Sequence, residues 1–558
     1  MQANEQRTNI IRNLSSQSFD LLVVGGGITG AGVALDAAAR GLSVALIEKR
    51  DFASGTSSKS TKLIHGGLRY LKNLEIGLVR ETGTERAVVH HLAPHLVRPE
   101  KMLLPIVDGG SLGKFTSSMA LWVYDFLADV EGDDKRKMLT KEETLAREPL
   151  LRDDILQGGG YYAEYRTDDA RLTLENLKTA QRNGAEVINY VEAIDFNYDE
   201  EGHIDSINCR DRMAGENFII NARHVISAAG PWVDELRKVD HSMTPTRIFW
   251  SKGVHIVISK ERLPLSQAVY FDTPYNDGRM IFAIPRLRSV YIGTTDTAYE
   301  GDPNKIPTYV EDVDYLLGAA NAIFPSAELK IEDVESSWAG VRPLIYEEGK
   351  EGKEMSRKDE IFESETGLLS IAGGKLTGYR KMAERVVDRL GDQLEEKGRD
   401  IPKATTKQLE LTGGPFEDYA AVVAYEKIVA QKLEAASLTP DRAAYLVANY
   451  GKQAEAIIEA AVKRSEGTDV SRLAAAEARW CIDNELALYP MDFFERRSGR
   501  LYFDMPSIAP VMDEVLNVFA KAYNYQDGEL EAERERIQKA IEWVSQFETE
   551  NVSSQKNL

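Results

Sequence analysis

Residues 20–49 read DLLVVGGGITGAGVALDAAARGLSVALIEK. The apolar run Leu21 to Val24 predicts a buried parallel strand. Gly25, Gly27 and Gly30 follow in G-x-G-x-x-G spacing, then a small-residue helix, Ala31 to Arg40, and a turn at Gly41. A second strand, Val44 to Ile47, ends in Glu48. The first glycine permits the tight turn, the second lets backbone approach a pyrophosphate, and the third lets helix pack on strand. The helix start offers free N–H groups and the positive end of its dipole to that phosphate. Glu48 stands 18 residues past Gly30, where a carboxylate accepts hydrogen bonds from ribose hydroxyls and disfavours a 2′-phosphate. The glycine triplet alone is a weak signal. Between a strand and a helix, with an acid closing the next strand, it predicts an adenine-dinucleotide site. It does not separate FAD from NAD.

Outward from that stretch, 558 residues predict several domains. A net charge of −21 argues against nucleic acid, which demands a basic surface, and against general adsorption to anionic lipid. An anionic substrate would need its own cations inside the site. Cys209 and Cys481 are the only cysteines and form no C-x-x-C, so neither a disulfide framework nor a zinc site is expected, and a reducing cytoplasm fits. No metal site is predicted. No apolar run reaches the ~20 residues of a membrane span. The first 17 residues lack a signal-peptide core and read as a frayed arm.

Past Lys49 a Ser/Thr/Gly-rich loop leads to a helix near Ile76 to His91, which prolines close. Lys101 to Val107 reads as a strand and Lys114 to Ala128 as a helix. Thr140 with Glu143 makes a capping box, and Asp168 to Asn183 is an amphipathic helix closed by Gly184. From about 240 to 335 the runs VHIVIS, AVYF, MIFAIP and SVYIGTTD predict a largely antiparallel sheet. LLSIAGGKLTGYRKMAERVVDRL, 368–390, returns to strand, glycine turn and helix. Beyond Pro402 only helical periodicity remains.

Five further stretches carry a resemblance: SSKSTKLIHGGLRYL (57–71), TDDARL (167–172), SAAGPW (227–232), IGTTDT (292–297) with WAGVRPL (338–344), and GGKLTGYRKMAE (373–384). In order and spacing they resemble the FAD-dependent glycerol-3-phosphate dehydrogenases, amino-acid-oxidase-like flavoproteins. The resemblance covers about residues 18–395, with position and kind alone matching beyond. It implies an α/β, Rossmann-like FAD-binding domain made of 18–105, 150–239 and 340–395. A mainly antiparallel substrate domain, 106–149 and 240–339, would be inserted in it, and an all-α domain, 405–548, would follow. It further implies FAD as cofactor and oxidation of glycerol 3-phosphate to dihydroxyacetone phosphate, hydride passing from C2 to flavin N5. Electrons would go to a membrane quinone or, in the oxidase branch, to oxygen; the chain length leaves little room for the insert common in oxidases. A cytoplasmic protein, with room for a peripheral seat on the inner membrane face and for a homodimer, completes the expectation.

Taking hydride from an alcohol carbon needs a base for the hydroxyl proton, and His is the usual one. His65, beside Gly66 and Gly67, and His255, inside a strand, are the candidates, and the residues do not choose between them. His90, His91 and His95 read as structural. A phosphate dianion calls for arginine. By the resemblance Arg69, Arg342, Arg357 and Lys375 surround the substrate, with Tyr70 beside Arg69 and Arg342 held before Pro343. Gly25, Gly27, Ile28, Thr29, Gly30, Glu48 and Lys49 would hold the nucleotide. Ser57, Ser58, Thr61, Lys62 and Leu63 would meet the flavin or pyrophosphate, with Lys59 among them. Gly230, Gly374, Lys375, Leu376 and Thr377 would lie at the flavin, the helix start stabilising charge at N1 and O2. Trp232 and Trp338 read as core or cavity wall, and Arg496, Arg497 and Arg500 as a solvated helix end, with a basic docking patch the alternative. Two rival readings remain: an NAD-dependent dehydrogenase, opposed by the lack of a second fingerprint, and a non-catalytic FAD binder.

Overall fold

A computed structural model describes residues 3–65, 76–110, 136–243, 247–346 and 359–549. The organising sheet has six strands in the order 359–363, 368–373, 225–227, 21–24, 44–48 and 186–189. All neighbours are parallel except the first pair. Leu21–Val24 and Val44–Ile47 are buried on both faces, as continuous apolar runs require. Helices Ile28–Ala39, Asp169–Arg182 and Tyr379–Glu396 cover this sheet, and Gly32 admits the ring of Tyr379, whose Cδ2 would stand 3.1 Å from an added Cβ. A smaller antiparallel meander, 191–198, 204–211 and 217–222, takes Ser18–Phe19 as a parallel edge.

The second large sheet has ten strands and is antiparallel but for one pair, 268–272 with 98–107. Its boundaries differ from the expected ones. Strands Arg98–Val107, Leu156–Arg166 and all of Val334–Ile345 belong to it, so segments expected in 18–105, 150–239 and 340–395 pair into this second sheet. The cause is long-range pairing: Arg98 faces Arg166 and Leu104 faces Gly160 across the register. Gly158 and Gly159 admit the overlying Leu139 carbonyl and Thr144 side chain, where a Cβ would come within 2.6 and 2.9 Å.

The N-terminal residues are no frayed arm. Ala3–Ser16 is a helix with Leu14 fully buried, and Arg7 ties it down through Asn189 O and Asp211, both at 2.7 Å. Two apolar positions four apart, Ile10 and Leu14, sit on one helical face and suffice. The capping box at Thr140 and the helix Asp169–Arg182 stand where the sequence places them. The expected helix at 114–128 lies outside the described residues.

The C-terminal part is helical as expected: Tyr419–Ala435, Ala443–Tyr450, Ala454–Val462, Asp469–Glu485, Met512–Tyr523 and Glu529–Ser545. Among the described residues no helix is long and apolar enough to cross a membrane. Both cysteines are buried and free. Arg496, Arg497 and Arg500 are neither a solvated end nor a docking patch. They are 8%, 0% and 3% exposed and paired to Asp51, Asp492 and Glu477.

Candidate functional site: a nucleotide crook that opens into an arginine-lined cavity

The glycine triplet makes a crook. Gly25 has φ +119°, and a Cβ there would lie 2.5 Å from Ala228 O. Gly30 packs onto the carbonyl of Gly25, where a Cβ would sit at 1.9 Å. Gly27 is the N-cap of Ile28–Ala39 in extended conformation, and the helix start lines the cavity. The Ile28 N–H donates to Ser57 Oγ at 2.9 Å. Glu48 closes the crook: its carboxylate accepts from Gly26 N–H at 2.7 Å and Arg50 N–H at 2.9 Å. Burial lifts its pKa above the carboxylate norm, against the pull of those amides. Trp232 walls this end, with Lys49 and Arg50 stacked 5.0 and 4.5 Å from its ring.

From the crook runs a cavity of about 550 Å³. Gly25, Gly27, Ile28, Thr29, Glu48, Lys49, Ser57, Lys59, Thr61, Leu63, His65, Gly230, His255, Arg342, Gly374, Lys375, Leu376 and Thr377 all line it. Gly30 lies under the crook instead. Ser58 and Lys62 do not reach the lining. Lys62 is 2% exposed, adopts φ +57°, and turns inward to Asp169 and Ser58 O. It is an internal strut, not the cofactor contact its neighbours suggest. Arg69, Tyr70 and Arg357 lie outside the described residues.

The far end of the cavity is built by strand register. Strands Ile248–Ser259 and Val334–Ile345 pair so that Ser251 faces Arg342, Gly253 faces Gly340 and His255 faces Trp338. Alternate residues share a face, so these pairs point one way. Arg342 donates to Thr294 Oγ1 at 3.1 Å and Ser251 Oγ at 3.3 Å, and lies 3.5 Å from Asp296. Gly253 leaves it room, since a Cβ there would meet Nη2 at 2.5 Å. His255 is stacked on Trp338, ring centroids 4.7 Å apart and 11° from parallel, and its Nε2 meets Thr61 Oγ1 at 3.1 Å. Burial first, then the charges of Arg342 and Lys62, hold its pKa well below 6.5. His255 is therefore a neutral imidazole at neutral pH. His65 is fixed differently: the Thr377 hydroxyl accepts from its N–H and donates to its carbonyl, each at 3.1 Å. Lys375 is extended and followed by a tight turn, Leu376–Gly378, that feeds helix Tyr379–Glu396.

Among the lining residues that the sequence did not single out are Arg279 and Asp296. Arg279 donates to the carbonyl of Asp296, and Asp296 in turn accepts from Ser251. A lone arginine opening the apolar run MIFAIP was the available signal for the first. The second stands inside IGTTDT, one of the stretches that carry the resemblance.

Comparison with known proteins settles the lineage. Residues 20–378 match the model of the FAD dependent oxidoreductase family, and 404–530 match the C-terminal domain of alpha-glycerophosphate oxidase. Aerobic glycerol-3-phosphate dehydrogenase of Staphylococcus aureus is 46% identical over 541 residues, 96% of each chain. That of Staphylococcus epidermidis is 47% identical over 544 residues, 96% of this chain and 97% of its own. The chain belongs to the FAD-dependent glycerol-3-phosphate dehydrogenase family. A solved structure of this family, from Bacillus halodurans complexed with FAD, is 40% identical, superposes with a TM-score of 0.83, and covers 98% of this chain and 100% of its own. L-alpha-glycerophosphate oxidase of Mycoplasma pneumoniae, at 18% identity and TM-score 0.55, shares the fold.

FAD is the cofactor of this family, and the residues present fit it. The crook refuses any Cβ at Gly25 and Gly30, the helix start at Ile28 lines the cavity, and the Glu48 carboxylate stands at the end of the next strand on the same wall. At the other end Gly373 and Gly374 adopt φ +78° and +77°, a turn that brings backbone, not side chain, to the lining.

Proposed function

We propose that this chain oxidises sn-glycerol 3-phosphate at C2 to dihydroxyacetone phosphate and passes the electrons to a quinone. The observation that carries this reading is a buried neutral imidazole and a cavity-facing guanidinium brought to one wall by two paired strands. Bound FAD supplies the hydride acceptor for C2.

The chain's own residues do the rest. Arg342 and Lys375 hold the phosphate dianion, Arg342 with a planar fork that Thr294, Ser251 and Asp296 orient. His255 takes the C2 hydroxyl proton at Nε2, in place of its contact with Thr61, as the carbonyl forms. The ring stays in register because Trp338 lies flat against it. Tyr270 and Phe282, stacked at 4.1 Å, wall off water beside His65. The expected Arg69, Tyr70 and Arg357 belong to the same proposal. A membrane quinone as acceptor implies a peripheral seat at the inner face of the membrane.

Anaerobic addition of glycerol 3-phosphate to the yellow holoenzyme tests the reading. The flavin bands bleach, and menadione restores them faster than oxygen does. Colour that persists in excess substrate leaves only an FAD binder of this fold. Faster return with oxygen makes the chain an oxidase.

A further inference from the structure

The helical domain has no residue on the cavity wall among the described lining, yet one of its turns is packed behind the wall in two places. The first is the cofactor loop. Arg497 forks onto Asp51, Nη1 to Oδ2 at 2.6 Å and Nη2 to Oδ1 at 2.8 Å, and Arg496 Nε adds a contact at 2.5 Å. Asp51 is 1% exposed and Arg497 0%. Asp51 lies three residues past Glu48, and the intervening Arg50 N–H is held by Glu48 itself. Asn189 Nδ2 binds Asp51 at 2.9 Å and Leu486 O at 3.0 Å, so a second bond ties loop to helical domain. The second place is the imidazole stack. Phe503 and Tyr502 each lie 5.5 Å from the ring of Trp338, on whose face His255 rests. The Ser336 hydroxyl donates to Tyr502 O at 2.6 Å, which pins the two segments together.

We infer that the segment 493–503 of the helical domain is a positioning element for the reaction, holding the cofactor loop through Asp51 and the imidazole of His255 through Trp338. These side chains touch neither cofactor nor substrate; they act through residues that do. Coupling of this kind is reciprocal: a helical domain that tightens FAD binding is itself docked more firmly by FAD. The loop half of the inference rests only on FAD binding. The imidazole half rests on the role proposed for His255.

The test uses the full chain, stripped of FAD and titrated back. Arg497→Ala weakens FAD by about tenfold or more, the equivalent of one buried charge contact. Arg497→Lys keeps the charge, loses the fork and falls between. Saturating FAD slows proteolysis within 397–418, the segment joining the domains, in wild type and much less in Arg497→Ala. Phe503→Leu leaves FAD affinity unchanged, lowers kcat rather than raising KM, and moves the acid limb of flavin reduction. Wild-type FAD affinity in both Arg497 variants overturns the loop half. Should Arg497→Ala fail to fold, Arg497→Lys decides alone. A wild-type acid limb in Phe503→Leu, with the loss confined to Tm, overturns the imidazole half. If glycerol 3-phosphate bleaches no flavin in wild type, the proposed activity fails while the FAD titration still reads the loop half.

Discussion

The two ends of the cavity are made by opposite means. The nucleotide end comes from one unbroken stretch, Asp20 to Lys49, and works largely through backbone: bare Cα atoms at Gly25 and Gly30, amides at the start of one helix, a single carboxylate. The end proposed to react draws side chains from segments far apart, His65, His255, Arg279, Arg342 and Lys375, brought together by sheet register and a glycine turn. Backbone recognition tolerates no added atom but asks little of the neighbours. Side-chain recognition tolerates size changes nearby but depends on the register of a twelve-residue strand, Val334–Ile345. The ends should therefore fail in different ways.

The sharpest break is Gly30→Val. A Cβ at 1.9 Å from a backbone oxygen cannot be absorbed by a flexible side chain, so the crook must open. The protein should purify colourless and bind no added FAD, as absorbance near the flavin bands would show. Retained colour would mean the crook does not need its glycine. Arg342→Ala should do the reverse: flavin content unchanged, kcat/KM for glycerol 3-phosphate down by roughly 30- to 1000-fold, the ~2–4 kcal/mol of a charge contact made in a water-excluded site. Unchanged kcat/KM would remove Arg342 from the phosphate. Smaller again is Glu48→Ala. Losing one ribose contact should loosen FAD by about tenfold or less while leaving the rate of reduction of bound flavin alone. A slower reduction with unaltered FAD affinity would put Glu48 at the wrong end.

The same contrast explains what the sequence discloses. The crook is legible because its constraints are local: strand, three spaced glycines, helix, acid. The families of strands and helices are legible from period, and the places of Arg342 and Lys375 on the cavity wall from the motifs around them, that of His255 from its strand. Lys62 misleads because its loop is rich in donors, and the charge that turns it inward is Asp169, 107 residues away. Arg496 and Arg497 mislead for the same reason on a larger scale. ERRSGR has the look of a surface, and the carboxylate that buries it is Asp51, 445 residues upstream of Arg496. Burial of a charge is decided by its partner, and a partner at that separation leaves no trace in local composition. The extent of the second sheet is hidden similarly, since pairing of 98–107 with 156–166 is a tertiary fact.

The mildest test concerns protons, and it probes the reacting end alone. His255 is kept neutral by burial and, next, by the positive charge of Arg342. The reaction needs the neutral ring, so kcat/KM should stay level from pH 8 down through 6.5 and fall only below the ordinary histidine value. A bound phosphate dianion cancels part of the Arg342 charge. The ring then protonates more readily, and the acid limb of kcat should lie at higher pH than that of kcat/KM. Arg342→Gln removes the same charge without substrate, so its kcat/KM limb should move up and the gap between the two limbs should close. The linkage to folding has one sign: with the folded pKa below 6.5, the unfolded chain takes the proton first, so stability is complete above pH 6.5 and declines as pH falls beneath it. Paired pH profiles of wild type and Arg342→Gln, with His65→Ala and His255→Ala alongside, read all of this. A limb that survives in His255→Ala and disappears in His65→Ala would transfer the base to His65, and with it the claim that strand register, not the loop at Thr377, aligns the reacting proton.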